Sequence, residues 1–125
     1  MRASASLPPA YTAPTFEPPF RVLVLVASTA GWYAASGEER GRVLDLLSGL
    51  LRAAEDRGAR LVGSMDDDLL ATGQPSSLPY SIYILYDVDD LEVIVRLVHD
   101  LRSSELGRMF RMEARIGRQL FLLQN

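Results

Sequence analysis

Hydrophobic positions fall into six stretches with two different periods. "FRVLVLVAS", from Phe20 to Ser28, is a continuous valine-rich run, which predicts a strand buried on both faces or central in a sheet. In "EERGRVLDLLSGLLRAAEDRG", Val43, Leu46, Leu47, Leu50 and Ala54 recur at helical spacing and form one apolar face. Ser36 with Glu39 makes a capping box ahead of that helix, and Gly58 supplies a left-handed stop. "ARLVGSM" predicts a short strand. "YSIYILYDV" alternates, with Ser81, Tyr83, Leu85 and Asp87 on one side and Ile82, Ile84, Tyr86 and Val88 on the other. Asp89 with Glu92 repeats the capping signature before a second helix, whose inward stripe is Leu91, Ile94, Val95, Val98 and Leu101. "RMEARIGRQLFLL" predicts a last strand.

Strand, helix, strand, strand, helix, strand is the β-α-β-β-α-β order of an α+β, ferredoxin-like fold: a four-stranded antiparallel sheet with both helices on one face. The other face is left bare. Apolar patches above roughly a few hundred Å² are rare on soluble monomers, so a second copy is expected to cover it and close a barrel-like homodimer through the sheet face. Residues 20–125 make this single domain. Residues 1–19 hold five of the seven prolines and predict an extended arm, either a flexible tail or a strap over a partner subunit anchored by Tyr11 and Phe16. "DDDLLATGQPSSLP" carries too many turn formers to be regular and is long for so small a domain, as lids are.

Composition removes several classes of function. The net charge of −3 gives no basic field for nucleic acid and no polybasic membrane patch. No stretch reaches the roughly 20 apolar residues that span a bilayer, and no secretory pattern opens the chain. A cytoplasmic protein is expected. There is no cysteine and no lysine, which excludes thiolate nucleophiles, thiolate zinc and Schiff-base chemistry. His99 is the single histidine, so no multi-histidine metal site can form within one subunit and no metal is expected. Asp66, Asp67 and Asp68 match no calcium loop and read as a solvated acidic turn.

The candidate chemistry gathers around "ASTAGWYAASGEER" and the second helix. Trp32 and Tyr33 sit between the first strand and first helix, where aromatic rings either rim a pocket or staple the start of the helix. Ser28 and Thr29 offer hydroxyls to a ligand or to loop backbone. Tyr83 and Tyr86 face opposite sides of their strand, so at most one lines a helix-side pocket. Histidine exchanges a proton near neutral pH, which makes His99 the natural acid or base, although a solvated helix flank is its plainer use. Arg118 shares an apolar strand face with Met112, Ala114 and Ile116, where it either snorkels or meets a carboxylate.

The element order, with "RVLVLVAST", "SIYILYDVDDLEVIVRLVHDLRSSELGRMF" and the closing "RMEARIGRQLFLL", resembles the dimeric α+β barrel superfamily over residues 20–123. "STAGWYAASGEER" and "VDDLEVIVRLVHDLRSSELGRMF" are similar to the small bacterial darcynin and IacB-like families, the latter associated with indole-acetate catabolism. The superfamily resemblance implies a pocket between sheet and helices, used in different branches for cofactor-independent oxygenation, isomerisation or cyclisation, or for haem. The resulting expectation is a small-molecule protein that encloses an aromatic or polyketide-like compound without a bound cofactor. In it His99 moves a proton, Tyr86 or Tyr33 polarises an oxygen, Trp32 stacks on the ring, and Ser28, Thr29, Tyr83 and Arg118 complete the substrate contacts. The alternatives are a haem protein with His99 as axial ligand, and a non-catalytic binding protein.

Overall fold

The computed structural model describes residues 17–73, 80–118 and 120–123. Tyr11, Phe16, most of the proline-rich arm and residues 74–79 of the long loop lie outside them. In order, the elements are β1 (Phe20–Ser28), α1 (Ala30–Ala34), α2 (Gly37–Asp56), β2 (Arg60–Asp66), β3 (Ile82–Val88), α3 (Glu92–Ser103), α4 (Leu106–Met109) and β4 (Phe110–Gly117), followed by a 3-10 turn at Phe121–Leu123. The strands pair antiparallel in the order β2-β3-β1-β4. This is the ferredoxin-like arrangement, with the valine-rich run in its centre.

Register assigns the two faces. Val22, Val24 and Val26 stand opposite Tyr86, Ile84 and Ile82 on one side and Ile116, Ala114 and Met112 on the other. Cross-strand partners share a face, and the three valines are fully buried in a core with Val43, Leu47 and Ala54 of α2 and Val93, Ile94, Leu97 and Leu101 of α3. β-branched side chains suit this pleated surface, and each buried side chain of this size contributes about 1.5–3 kcal/mol. The strict alternation of β3 holds, since Ile84, Tyr86 and Val88 are buried on the core side.

The sheet's far face carries Leu23, Leu25 and Ala27 of β1 among charged and hydroxyl side chains. Leu25 and Ala27 are buried without joining the core. The Tyr80 hydroxyl, reaching across β1, donates to Glu113 Oε1 at 2.8 Å. Arg21 grips Asp87 through two hydrogen bonds of 2.9 Å. The bare face is therefore less apolar than the sequence pattern implied.

Helix boundaries follow their capping residues. Ser36 Oγ accepts from Glu39 N at 3.1 Å, and Gly58 adopts φ 118° at the end of α2, both as the sequence predicts. At α3 the residue that caps is Asp90, whose Oδ1 accepts from Glu92 N at 2.9 Å. Asp89 instead faces Arg60 at 3.2 Å. The last strand stops at Gly117, so alternation no longer fixes the side of Arg118, which is exposed just beyond it.

Two single-turn helices were not legible in the hydrophobic pattern. α1 and α4 pack together where β1 leaves the sheet and β4 enters it. A side chain at Gly31 would place its Cβ 2.6 Å from the Arg108 carbonyl oxygen, and one at Gly107 would sit 2.7 Å from that of Arg102. Only glycine allows these approaches. The Thr29 hydroxyl donates to the Arg108 carbonyl, and Thr29 N donates to Met109 O at 3.0 Å.

Candidate functional site

α3 carries two apolar surfaces instead of one. Val93, Ile94, Leu97 and Leu101 enter the core, whereas Val95 is 55% exposed and Val98 half-buried. The predicted stripe is thus rotated toward Val93 and Leu97, and Val95 and Val98 face elsewhere. They border an open groove of about 750 Å³ between α3 and β4, with Met112, Ala114 and Ile116 as its opposite wall. Ile116 is itself 47% exposed. The groove lies where the edge strand β4 runs beside α3.

One end of this groove is polar. His99, Arg102 and Ser103 come from successive turns of α3. Ser103 Oγ donates to the His99 carbonyl at 2.8 Å, while the His99 imidazole makes no hydrogen bond among the described residues. Glu113 also borders the groove, but its carboxylate is held on the far face by Arg115 and Tyr80. The Arg115 guanidinium and the Tyr80 hydroxyl hold that carboxylate below its ordinary range. Among the described residues no three His, Asp or Glu side chains converge to hold a metal ion.

The other predicted residues are placed elsewhere. Trp32 and Tyr33 lie in α1, not in a loop. The Trp32 ring packs on Phe110 with centroids 5.2 Å apart, and the Arg40 guanidinium lies 5.1 Å from its centre. Arg40 also donates to the carbonyls of Trp32 and Tyr33 at 3.0 and 3.1 Å, closing the end of α1. Tyr33 is 71% exposed. Ser28 ends β1 opposite Phe110. The Tyr83 hydroxyl lies 2.8 Å from Asp67 Oδ2 and 2.9 Å from Tyr80 O on the far face, and its one proton serves only one of them.

Tyr86 is buried beneath α2, its hydroxyl 3.4 Å from the Leu51 carbonyl. Burial pushes its phenol up to about 12, and the nearby Glu55 charge adds to this. It borders a separate recess of about 340 Å³ between α2 and β2. His99 is therefore the one predicted site residue in the α3–β4 groove. The expected constellation of His99 with Tyr86, Tyr33 and Trp32 is not assembled, because β3 presents Tyr86 to α2, while in α1 Trp32 packs on Phe110 and Tyr33 is exposed. Arg102 and Ser103 were missed. Their spacing of three and four from His99 is the helical signal that would have found them.

No family profile and no curated protein matches the chain. Among solved structures the chain is similar to the crystal structure of a chlorite dismutase-like protein, with a TM-score of 0.53 and 18% identity over 79% of this chain and 44% of that one. This chain thus spans less than half the length of that protein. At this identity the likeness shows the fold alone, the ferredoxin-like α+β arrangement described above. Among the described residues no helix is long and apolar enough to cross a membrane.

Proposed function

We propose that this chain binds a small, largely apolar compound in the α3–β4 groove, as an enzyme or accessory protein of small-molecule metabolism. The observation that carries this reading is the second apolar surface of α3, which faces apolar side chains of β4 across open space and ends at His99. Such a surface serves no purpose in the core, whereas concave apolar walls with a few convergent polar groups are what ligand sites present. His99 is the group that would accept or donate a proton there. Fluorescence titration with naphthalene-2-methanol, a neutral aromatic, tests it. Saturable binding abolished by Ala114→Trp, which fills the groove, is expected; binding unchanged in that variant removes the reading. Where a bound compound is turned over, loss of about 100-fold in rate in His99→Ala at unchanged affinity marks general acid or base catalysis.

Haem is a second reading, favoured by the unengaged His99 imidazole. The donor set fits it: one imidazole, apolar walls and a cationic end. Haem held there would supply iron-centred redox chemistry, with His99 on the metal. A Soret shift lost in His99→Ala supports it, and a shift retained in that variant excludes it.

A second copy of the chain is the cover we propose for the far face. A two-fold axis along the strands lays β4 of one protomer over β2 of its partner. That brings Arg111 toward the level of Asp66, Asp67 and Asp68, because both lie at the end of the sheet where Val26 pairs with Ile82 and Met112. Opposite charges then meet at both rims of the interface.

A further inference from the structure

We infer that the groove selects hydrophobic carboxylates, with Arg102 as the residue that anchors the carboxylate. This rests on the reading of the α3–β4 groove as a ligand site. The groove does not end at His99. A recess of about 300 Å³ continues from it, sharing Val98, Arg102 and Met112 and bounded by Arg111, Phe110 and Gly107. Arg102 lines both, so its guanidinium stands beside His99 at one end of an otherwise apolar trough; Arg111, opposite Ala27 in the register, projects from the far face with Glu113.

The close turn at Gly107 shapes this end of the groove. Its Cα lies so near the Arg102 carbonyl that no side chain fits between, and Gly107 N donates to Ser104 O at 3.1 Å. The chain doubles back directly after α3, so β4 begins beside the end of that helix and turns Met112 toward Arg102.

Most arginines of the described residues are held by carboxylates of the chain itself. Arg21, Arg42, Arg57, Arg60, Arg96, Arg108 and Arg115 each face a carboxylate of this chain within 4 Å. Arg102 forms no such pair among the described residues, and unlike Arg40, which lies on Trp32, and Arg52, which donates to Ser48, it borders the groove. The one carboxylate that borders the groove, that of Glu113, is turned to the far face. A planar guanidinium binds a carboxylate through two parallel hydrogen bonds, and beside apolar walls that attraction is less screened than in open water. The ligand implied is amphiphilic: an aryl or alkyl body between Val95, Val98, Ala114 and Ile116, with one carboxylate at Arg102.

The test compares 2-naphthoate with naphthalene-2-methanol, which share a ring system and differ in charge, on the full chain. In the wild type 2-naphthoate is expected to bind about tenfold or more tightly than the alcohol. Arg102→Gln should reduce 2-naphthoate affinity about tenfold and leave the alcohol unchanged, and Arg111→Gln, on the far face, should leave both affinities unchanged. Equal affinity for both probes, or an Arg102→Gln variant that keeps the preference, overturns the carboxylate assignment while leaving the groove a ligand site. Binding of neither probe overturns both readings. Arg102 and Arg111 are exposed, so neither change disturbs the core.

Discussion

Gly31 and Gly107 are the residues where one methyl group decides the path of the chain. Each would place a Cβ under 3 Å from a backbone carbonyl oxygen, and backbone cannot swing aside as a side chain does. Gly31→Ala and Gly107→Ala are each expected to lower stability by about 1–3 kcal/mol, read by chemical denaturation; an unchanged midpoint would show that the α1–α4 junction yields. Tyr86 governs the alkaline limit. Its phenol is held at about 12 against an ordinary 10.0. Below pH 10 it is neutral folded or unfolded and its ionisation adds nothing. Between 10 and 12 the unfolded chain ionises first, so stability falls as pH rises. Tyr86→Phe removes this component, and its stability should decline less steeply over that interval than the wild type's. Parallel declines would contradict burial as the cause.

At the scale of elements, what the sequence revealed follows from periodicity. β1, β3 and α2 were legible because each buries one unbroken set of side chains: valines 22, 24 and 26, the alternation ending at Val88, and Val43 with Leu47 and Ala54. Ser36 marked the start of α2 for the same local reason, and Ser36→Ala is expected to cost about 1 kcal/mol, measured by thermal or denaturant unfolding; no loss would mean that the Glu39 N bond is replaced by water. α3 was legible as a helix but not in its rotation. Its apolar residues cover two surfaces, one for the core and one for the groove, and a single-stripe reading averages them into Val95 and Val98. α1 and α4 escaped because one turn is too short to show a period. The site was only partly legible, since His99 stood out by rarity while Arg102 became notable only once β4 lay beside it. Trp32 and Tyr33 attracted attention as adjacent aromatics, yet the contacts that place them, with Phe110 and Arg40, are remote or unpatterned in sequence.

Over the whole molecule, sheet order and edge exposure produce both proposed surfaces. β4 is an edge strand running beside α3, where the groove lies, and the helices all stand on one face, which leaves the other for a second copy. Sedimentation is expected to give a particle of twice the 13.8 kDa chain mass, and Met65→Arg, on a far-face side chain that is 58% exposed, should return the single chain without unfolding it. A single chain at all concentrations would remove the dimer and leave the groove untouched. The most direct test of the groove is amide and methyl NMR of the labelled protein titrated with 2-naphthoate. The expected result is saturable shifts confined to Val95, Val98, His99, Arg102, Ala114 and Ile116, with Tyr86 and Leu51 unmoved. Shifts centred on the α2–β2 recess beside Tyr86, or none at saturating probe, would contradict it.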